Sequence, residues 1–325
     1  MILSPLLAEM GIEMELEKWY AALKKTYVRY KWRMRSISKG SENPDKTFYV
    51  VRRSPGDTGL FSYLCTNVGY VRHAIESGYI PVIDMQNSRN TYLTADEIGI
   101  INAWELFFEQ PCGYRLIDIS KSKNIILGNG IIDGKVRYPS MKMIHDETDL
   151  NEWRALFHKY FVIKKEIMVE IDEQQRDLLG NRKPLGVLCR GTDYVNVRPS
   201  AHPVQPSLPE LMEKVDAVFR DRQCEIIYLA TEDEDVYQSF HDRYQDKLIV
   251  SKAKRYRNTG ADNINAVIKK ENDSIFTQGK DYLVSIALLS RCECLVAGCT
   301  SGTYGALMMS GGYEFQYVFD LGLYE

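Results

Sequence analysis

The sequence predicts an α/β fold whose C-terminal half is a doubly wound parallel sheet. Three observations predict it. From Pro184 onward, short apolar runs alternate with helical patterns. Those runs, among them GVLC, IIYLA and CLVAG, are apolar at nearly every position, as strands buried on both faces are. The segments between them are long enough for crossover helices, and strict alternation of this kind closes into a sheet with helices on both sides.

Each element follows from its local pattern. Residues 1–38 read as helix, and KGSENPDK (Lys39–Lys46) is a polar break with Gly and Pro. TFYVVRR (Thr47–Arg53) is a strand, followed by the glycine-bearing loop SPGDTG (Ser54–Gly59). A helical pattern runs to about Ser77 and the strand YIPVIDM occupies Tyr79–Met85, which together make one βαβ-like unit. Residues 86–147 are mixed, with a short helix at NAWELFFEQ. Helical periodicity from about Asp149 to Leu179 bridges two lobes.

Beyond it the expected strands are Pro184–Gly191, Glu225–Glu232, Lys247–Lys252, Cys294–Thr300 and Phe315–Leu321. The expected helices are Leu208–Asp221, Asp233–Gln245, Lys280–Cys292 and Thr303–Ser310. The long, polar, basic insert Ala253–Gly279 reads as a mobile loop over a site.

Bulk properties narrow the function. The 325 residues suit two domains or one large α/β unit. A net charge of -3 gives no global attraction to nucleic acid, so no nucleic-acid partner is expected and any anion site must be local. The seven cysteines are odd in number and lie mostly in apolar strands, as reduced buried thiols do. CEC (Cys292–Cys294) lacks a second metal-ligand pair, and no metal site is expected. The N-terminus lacks the basic n-region of a signal peptide, and no apolar run is long enough to span a bilayer. The basic, aromatic run KKTYVRYKWRMR (Lys24–Arg35) reads as a solvated helix face, or as a surface for a membrane or an acidic partner.

In open parallel sheets ligands bind beyond the carboxyl ends of the strands, which selects three places. At the first, VLCRGTDYVNVRPSAHP (Val187–Pro203) carries Arg190, Asp193, Arg198 and His202 off the end of a buried strand. A guanidinium there suits a phosphate bidentately, and Asp193 either positions Arg190 or serves as a base. His202 is held extended by Pro203. At the second, LATEDEDVY (Leu229–Tyr237) sets Glu232, Asp233, Glu234 and Asp235 at a helix start. Acidic residues are favoured there by the helix dipole alone. The D-x-D pattern also suits a divalent metal, and a lone carboxylate suits a ribose or base. At the third, AGCTSGTYG (Ala297–Gly305) turns from strand to helix on small hydroxylated residues, an anion cradle or an ordinary turn.

Taken in order and with their spacings, GVLCRGTDY…AHP, IYLATEDEDVY and GKDYLVSIALLSRCECLVAGCTSGTYGALM resemble the fucosyltransferase superfamily. The resemblance is to alpha-1,6-fucosyltransferases and nodulation fucosyltransferases above all. It covers about residues 184–310 and weakens over 47–113. It implies a GT-B-like fold of two Rossmann-like lobes. Residues 1–46 would form a helical segment, 47–165 an acceptor-side lobe and 166–325 a nucleotide-sugar-binding lobe. It also implies an inverting, metal-independent transferase without a cofactor, whose donor is GDP-fucose or another nucleoside-diphosphate sugar. The acceptor would be a surface glycan or its lipid-linked precursor. The expected location is cytoplasmic, with peripheral association at the inner face of the cell membrane.

Residue by residue, the resemblance places Arg190 on the donor's β-phosphate, where a fixed guanidinium answers the charge of the leaving diphosphate. Thr192 joins the donor site. Glu232 and Asp233 fall near the nucleoside, Thr300 and Ser301 at the phosphates, and Gly302 and Thr303 extend that helix start. Ser285 stands where some relatives have an Asp that reads guanine. The chain departs from the pattern at Leu188 and Gly191, where the family has a His and a second arginine, and at Arg198, where the alpha-1,6 enzymes have a carboxylate. Asp193 is therefore the first candidate base, Asp57 the second and His202 the third. Asp57, Arg198 and His202 are the expected acceptor-side residues.

Overall fold

The computed structural model describes residues 4–190, 198, 200–257 and 274–325, with side chains from residue 16 onward. Helix α1 (Ser4–Trp32) leads into strand β1 (Arg35–Ile37) and the long strand β2 (Glu42–Arg52). Helix α2 (Leu60–Glu76) crosses to β3 (Ile80–Asp84), and after a largely irregular stretch the chain forms β4 (Ser122–Leu127). Helices α3 (Lys142–His145), α4 (Glu147–Tyr160) and α5 (Lys165–Gln174) lead to the second sheet. There β5 (Pro184–Leu188), α6 (Leu208–Asp221), β6 (Ile226–Ala230), α7 (Glu234–Tyr244) and β7 (Leu248–Val250) are followed by α8 (Ile275–Leu289), β8 (Cys294–Ala297), α9 (Ser301–Met309) and β9 (Phe315–Val318).

The second sheet has the order β7-β6-β5-β8-β9 and every pair in it is parallel. Strand order therefore reverses between β5 and β8, which opens a crevice at their carboxyl ends. β5, β6 and β8 are buried at every position, which explains their uninterrupted apolar runs. The first sheet has the order β1-β4-β2-β3, with β2 parallel to β3 and β4, and β1 antiparallel on the edge. Two α/β lobes on largely parallel sheets are the GT-B-like plan that the sequence implies.

Side-chain alternation splits each sheet between two cores. In β2, Phe48 and Val50 face one cluster while Tyr49 and Val51 face another. That second cluster continues through Phe61, Trp104 and Trp153 to Leu283, Leu295 and Met308, so the two lobes share a core. Gly305 in α9 makes the junction possible, since a Cβ there would collide with the ring of Phe61 in α2.

Four expectations need correction. The helix read over 1–38 stops at Trp32, and Arg35–Ile37 is a strand because it pairs with Ile125–Leu127. The polar break at 39–46 is partly strand: β2 starts at Glu42 and reaches its apolar register with β4 at Thr47 after an irregularity. The helical span 149–179 is broken at Phe161–Lys164, where Ile163 bridges Phe108 and both Phe161 and Ile163 are buried, and α5 runs on into a π-helical turn at Gln175–Leu179. The helix expected from Lys280 starts five residues earlier, capped by Ser274, whose hydroxyl accepts from Thr277 N at 3.3 Å. Gly279 does not break it. Its missing side chain admits Tyr92 and Phe107.

Candidate functional site

Three strand ends of the second sheet converge on one edge. Arg190 leaves β5 one residue after Cys189, whose amide donates to Ala230 O of β6 at 3.2 Å. Its guanidinium Nε lies 3.4 Å from Glu232 Oε1, just past the end of β6, and both side chains are mostly covered. Adjacent parallel strands thus bring together residues that are 42 apart in sequence. A carboxylate in this position fixes the direction of the guanidinium fork. Burial pushes the neighbouring Cys189 thiol up to about 12.

Beside this pair lies a cavity of about 240 Å³, with Thr231 and Glu232 on one wall and Ala253, Lys254 and Tyr256 on another. The third wall is one face of α8, formed by Ser274, Thr277, Gln278, Asp281, Tyr282 and Ser285. The cavity has room for an aromatic base. The second wall is set by backbone bonds, since Tyr256 N donates to Glu232 O at 2.8 Å and Glu234 N to Tyr256 O at 3.1 Å. Residues 258–273, the middle of the expected loop, lie outside the described residues.

Ser285 is buried, and its hydroxyl and carbonyl both meet the Tyr228 hydroxyl, at 3.1 and 3.0 Å. The carboxylate on that helix face is Asp281, one turn earlier. Burial raises its pKa, with Lys280 acting against the shift. Sequence reading missed Asp281 along with Tyr256 and Tyr282. The signal was present: Ser274, Thr277, Gln278, Asp281 and Ser285 recur at spacings of three and four, a polar stripe on an otherwise apolar helix. Starting the helix at Lys280 hid it.

At the third strand end the expected residues behave differently from one another. Thr300 caps α9, accepting from Thr303 N at 3.2 Å, while the Thr303 hydroxyl accepts from Thr300 N and donates to Gly298 O. Both hydroxyls are buried and hold the turn together. Gly302 is where Tyr282 Oη closes on the helix, and any Cβ would collide with it. Of the four, Ser301 is the partly exposed side chain. Gln205 Nε2 donates to Cys299 O at 2.9 Å, tying the segment after His202 to this turn.

The acidic run also divides. Asp233 is buried, and its Oδ1 accepts from Asp235 N at 2.8 Å and Val236 N at 3.1 Å, capping α7. Glu234 pairs with Arg255 at 3.2 Å. Among the described residues no cluster of three His, Cys, Asp or Glu side chains could hold a metal ion.

The expected acceptor-side residues are on the surface. Asp57 is exposed and pairs with Arg89 at 3.4 Å, on a loop fixed by Tyr63 Oη donating to Gly56 O at 2.7 Å. Arg198 is exposed with φ 44°. His202 is exposed, its Nδ1 is 3.0 Å from Ser200 O, and its carbonyl accepts from Tyr324 N at 2.9 Å. Thr192 and Asp193 lie outside the described residues.

Comparison with known proteins completes the description. No family model matches this chain, and no curated protein matches it. Several solved structures are similar at low identity. Fucosyltransferase NodZ from Bradyrhizobium is 14% identical, over 81% of this chain and 92% of that one, with a TM-score of 0.47. FUT1 of Arabidopsis thaliana, in complex with GDP, is 10% identical over 84% and 70%, with a TM-score of 0.49. POFUT1 in complex with GDP-fucose is 10% identical over 84% and 98%, with a TM-score of 0.47.

Proposed function

We propose that the chain is an inverting, metal-independent glycosyltransferase that moves fucose from GDP-fucose to a glycan acceptor. The observation that carries this reading is the Arg190–Glu232 pair at the edge of a base-sized cavity, at strand ends whose motifs resemble those of fucosyltransferases. The cavity takes the base. Tyr256 and Tyr282 line it, and the Asp281 carboxylate suits the adjacent N–H donors of guanine. Glu232 faces the ribose side. Arg190, with Ser301 at the start of α9, receives the diphosphate.

In the transfer, an acceptor hydroxyl attacks the anomeric carbon as the bond from that carbon to the β-phosphate oxygen breaks. The electron pair leaves on GDP, where Arg190 stabilises it. The acceptor proton passes to a carboxylate, for which Asp193 is the candidate. The acceptor is a surface glycan or its lipid-linked precursor, presented from the Asp57 side.

A second reading keeps the reaction and changes the donor, because Ser285 stands where guanine-reading relatives have a carboxylate. Asp281 supplies one on the same helix face and favours guanine. The test is a thermal-shift series with GDP, UDP and ADP and their sugars, followed by transfer and donor-hydrolysis assays with EDTA present. GDP should raise Tm most, since a ligand bound only by the native state must stabilise it. A larger shift with UDP would establish the other donor. GDP binding without transfer or hydrolysis would leave only a binding protein.

A further inference from the structure

The second half of α1 is a basic helix with an uncovered aromatic stripe. At 100° per residue, Leu16, Trp19, Tyr20, Leu23, Tyr27 and Tyr30 fall within an arc of about 100°. All six are exposed, Trp19 and Tyr20 by 70% and 72%. Between Leu16 and Arg35 there are seven Lys or Arg residues and one acidic residue, Glu17, in a chain of net charge -3. Lys24 and Lys31 flank the stripe on one side.

The helix is fastened at its C-terminal end. Trp32 O accepts from Gly130 N at 2.8 Å, Arg52 stacks over the Trp32 ring at 5.3 Å, and Arg52 Nη2 donates to Arg33 O at 2.7 Å. Arg52 ends β2 and Gly130 follows β4, so the anchor is at the carboxyl edge of the first sheet. The Ser54–Gly59 loop with Asp57 leaves the same edge, and Ser54 N donates to Gly130 O at 2.6 Å.

We propose that the aromatic stripe of α1, flanked by Lys24 and Lys31, is a docking surface for an anionic lipid bilayer. Trp and Tyr are the side chains favoured at the boundary between headgroups and acyl chains, with Lys and Arg reaching the lipid phosphates. Among the described residues no helix is long and apolar enough to cross a membrane, so α1 lies on the surface. Charge complementarity between the seven cations of Leu16–Arg35 and lipid phosphates selects this occupant. The anchor then carries the Asp57 loop to the bilayer. The surface binding itself does not depend on the nucleotide reading.

The test is co-sedimentation of the full chain with vesicles of phosphatidylcholine, alone or mixed equally with phosphatidylglycerol, at about 0.15 M salt. Binding to the mixed vesicles alone, lost at high salt, is expected. Trp104 and Trp153 are fully buried and Trp32 is half-buried under Arg52, so the part of a blue shift of emission that comes from the stripe is Trp19's and should be lost in Trp19→Phe. Each cation contributes about fivefold to binding, so Lys24→Glu with Lys31→Glu should weaken it by about twenty-five-fold or more. Tm should stay unchanged, because these side chains are exposed. Failure of the mixed vesicles to sediment the wild-type chain would overturn the proposal. So would a concentration-dependent dimer, abolished by Trp19→Ser with Tyr27→Ser, in a chain that ignores lipid.

Discussion

The carboxyl edges of the two sheets are built in opposite ways. On the second sheet the polar groups are covered and interlocked: Arg190 on Glu232, Thr300 on Thr303, Asp233 on the first turn of α7. On the first sheet the corresponding loop is pinned through its backbone, while its charged pair, Asp57 and Arg89, stands in solvent. A covered edge holds directions, as stabilising a developing charge requires. On the proposed function, the open loop leaves room for a bulky acceptor. The contrast predicts that substitutions on the second edge cost far more than those on the first.

The sharpest break is Arg190→Ala. It should lower transfer kcat/KM by about a thousandfold, the loss expected for one group that stabilises developing charge. Full activity would remove Arg190 from the mechanism. Next is Gly305→Val at the junction between the lobes, where a side chain must displace Phe61. Overpacking there should destabilise by about 3 kcal/mol, read by urea unfolding. Thr303→Val leaves Gly298 O and Thr300 N without their side-chain partner and should cost about 2 kcal/mol by the same measurement.

Asp281→Asn probes the cavity. Losing the carboxylate should weaken GDP binding by about tenfold, the scale of a hydrogen bond to a charged group, read by calorimetry. The raised pKa of Asp281 fixes the pH dependence. Wild-type affinity should fall as pH drops through that pKa, and the variant should be flat. For stability the sign reverses, because a carboxyl raised on folding contributes stability at low pH that is lost as pH rises through its folded value. Asp281→Asn should therefore have the higher Tm at neutral pH, with the gap closing in acid. The smallest effect is expected on the open edge. Asp57→Ala should change stability by no more than about 0.5 kcal/mol, as exposed pairs do, and should act on acceptor KM. A large loss of stability there would erase the contrast between the edges.

Legibility in the sequence followed the range of the interactions. The second sheet could be read because each strand is a short apolar run with its own cap or turn beside it, such as Ser207 with Glu210 at the start of α6. β1 and β4 could not, because Arg35–Ile37 is a strand only through pairing with residues some ninety positions away. Within the site, Arg190 and Glu232 were visible as polar exits from buried strands, whereas Asp281 was hidden behind a misplaced helix start.

Local pattern by itself determined the α/β class, the five strands of the second sheet, and the edge at which polar residues gather. Periodicity and burial on both faces leave their mark within a few residues. Only tertiary structure decided which of those polar groups face the cavity and which are consumed by the fold. Thr300, Thr303 and Asp233 have side chains as suited to a ligand as to a helix cap. Burial at the strand ends turned them to the cap, because a covered amide without a partner costs more than a ligand contact forgone.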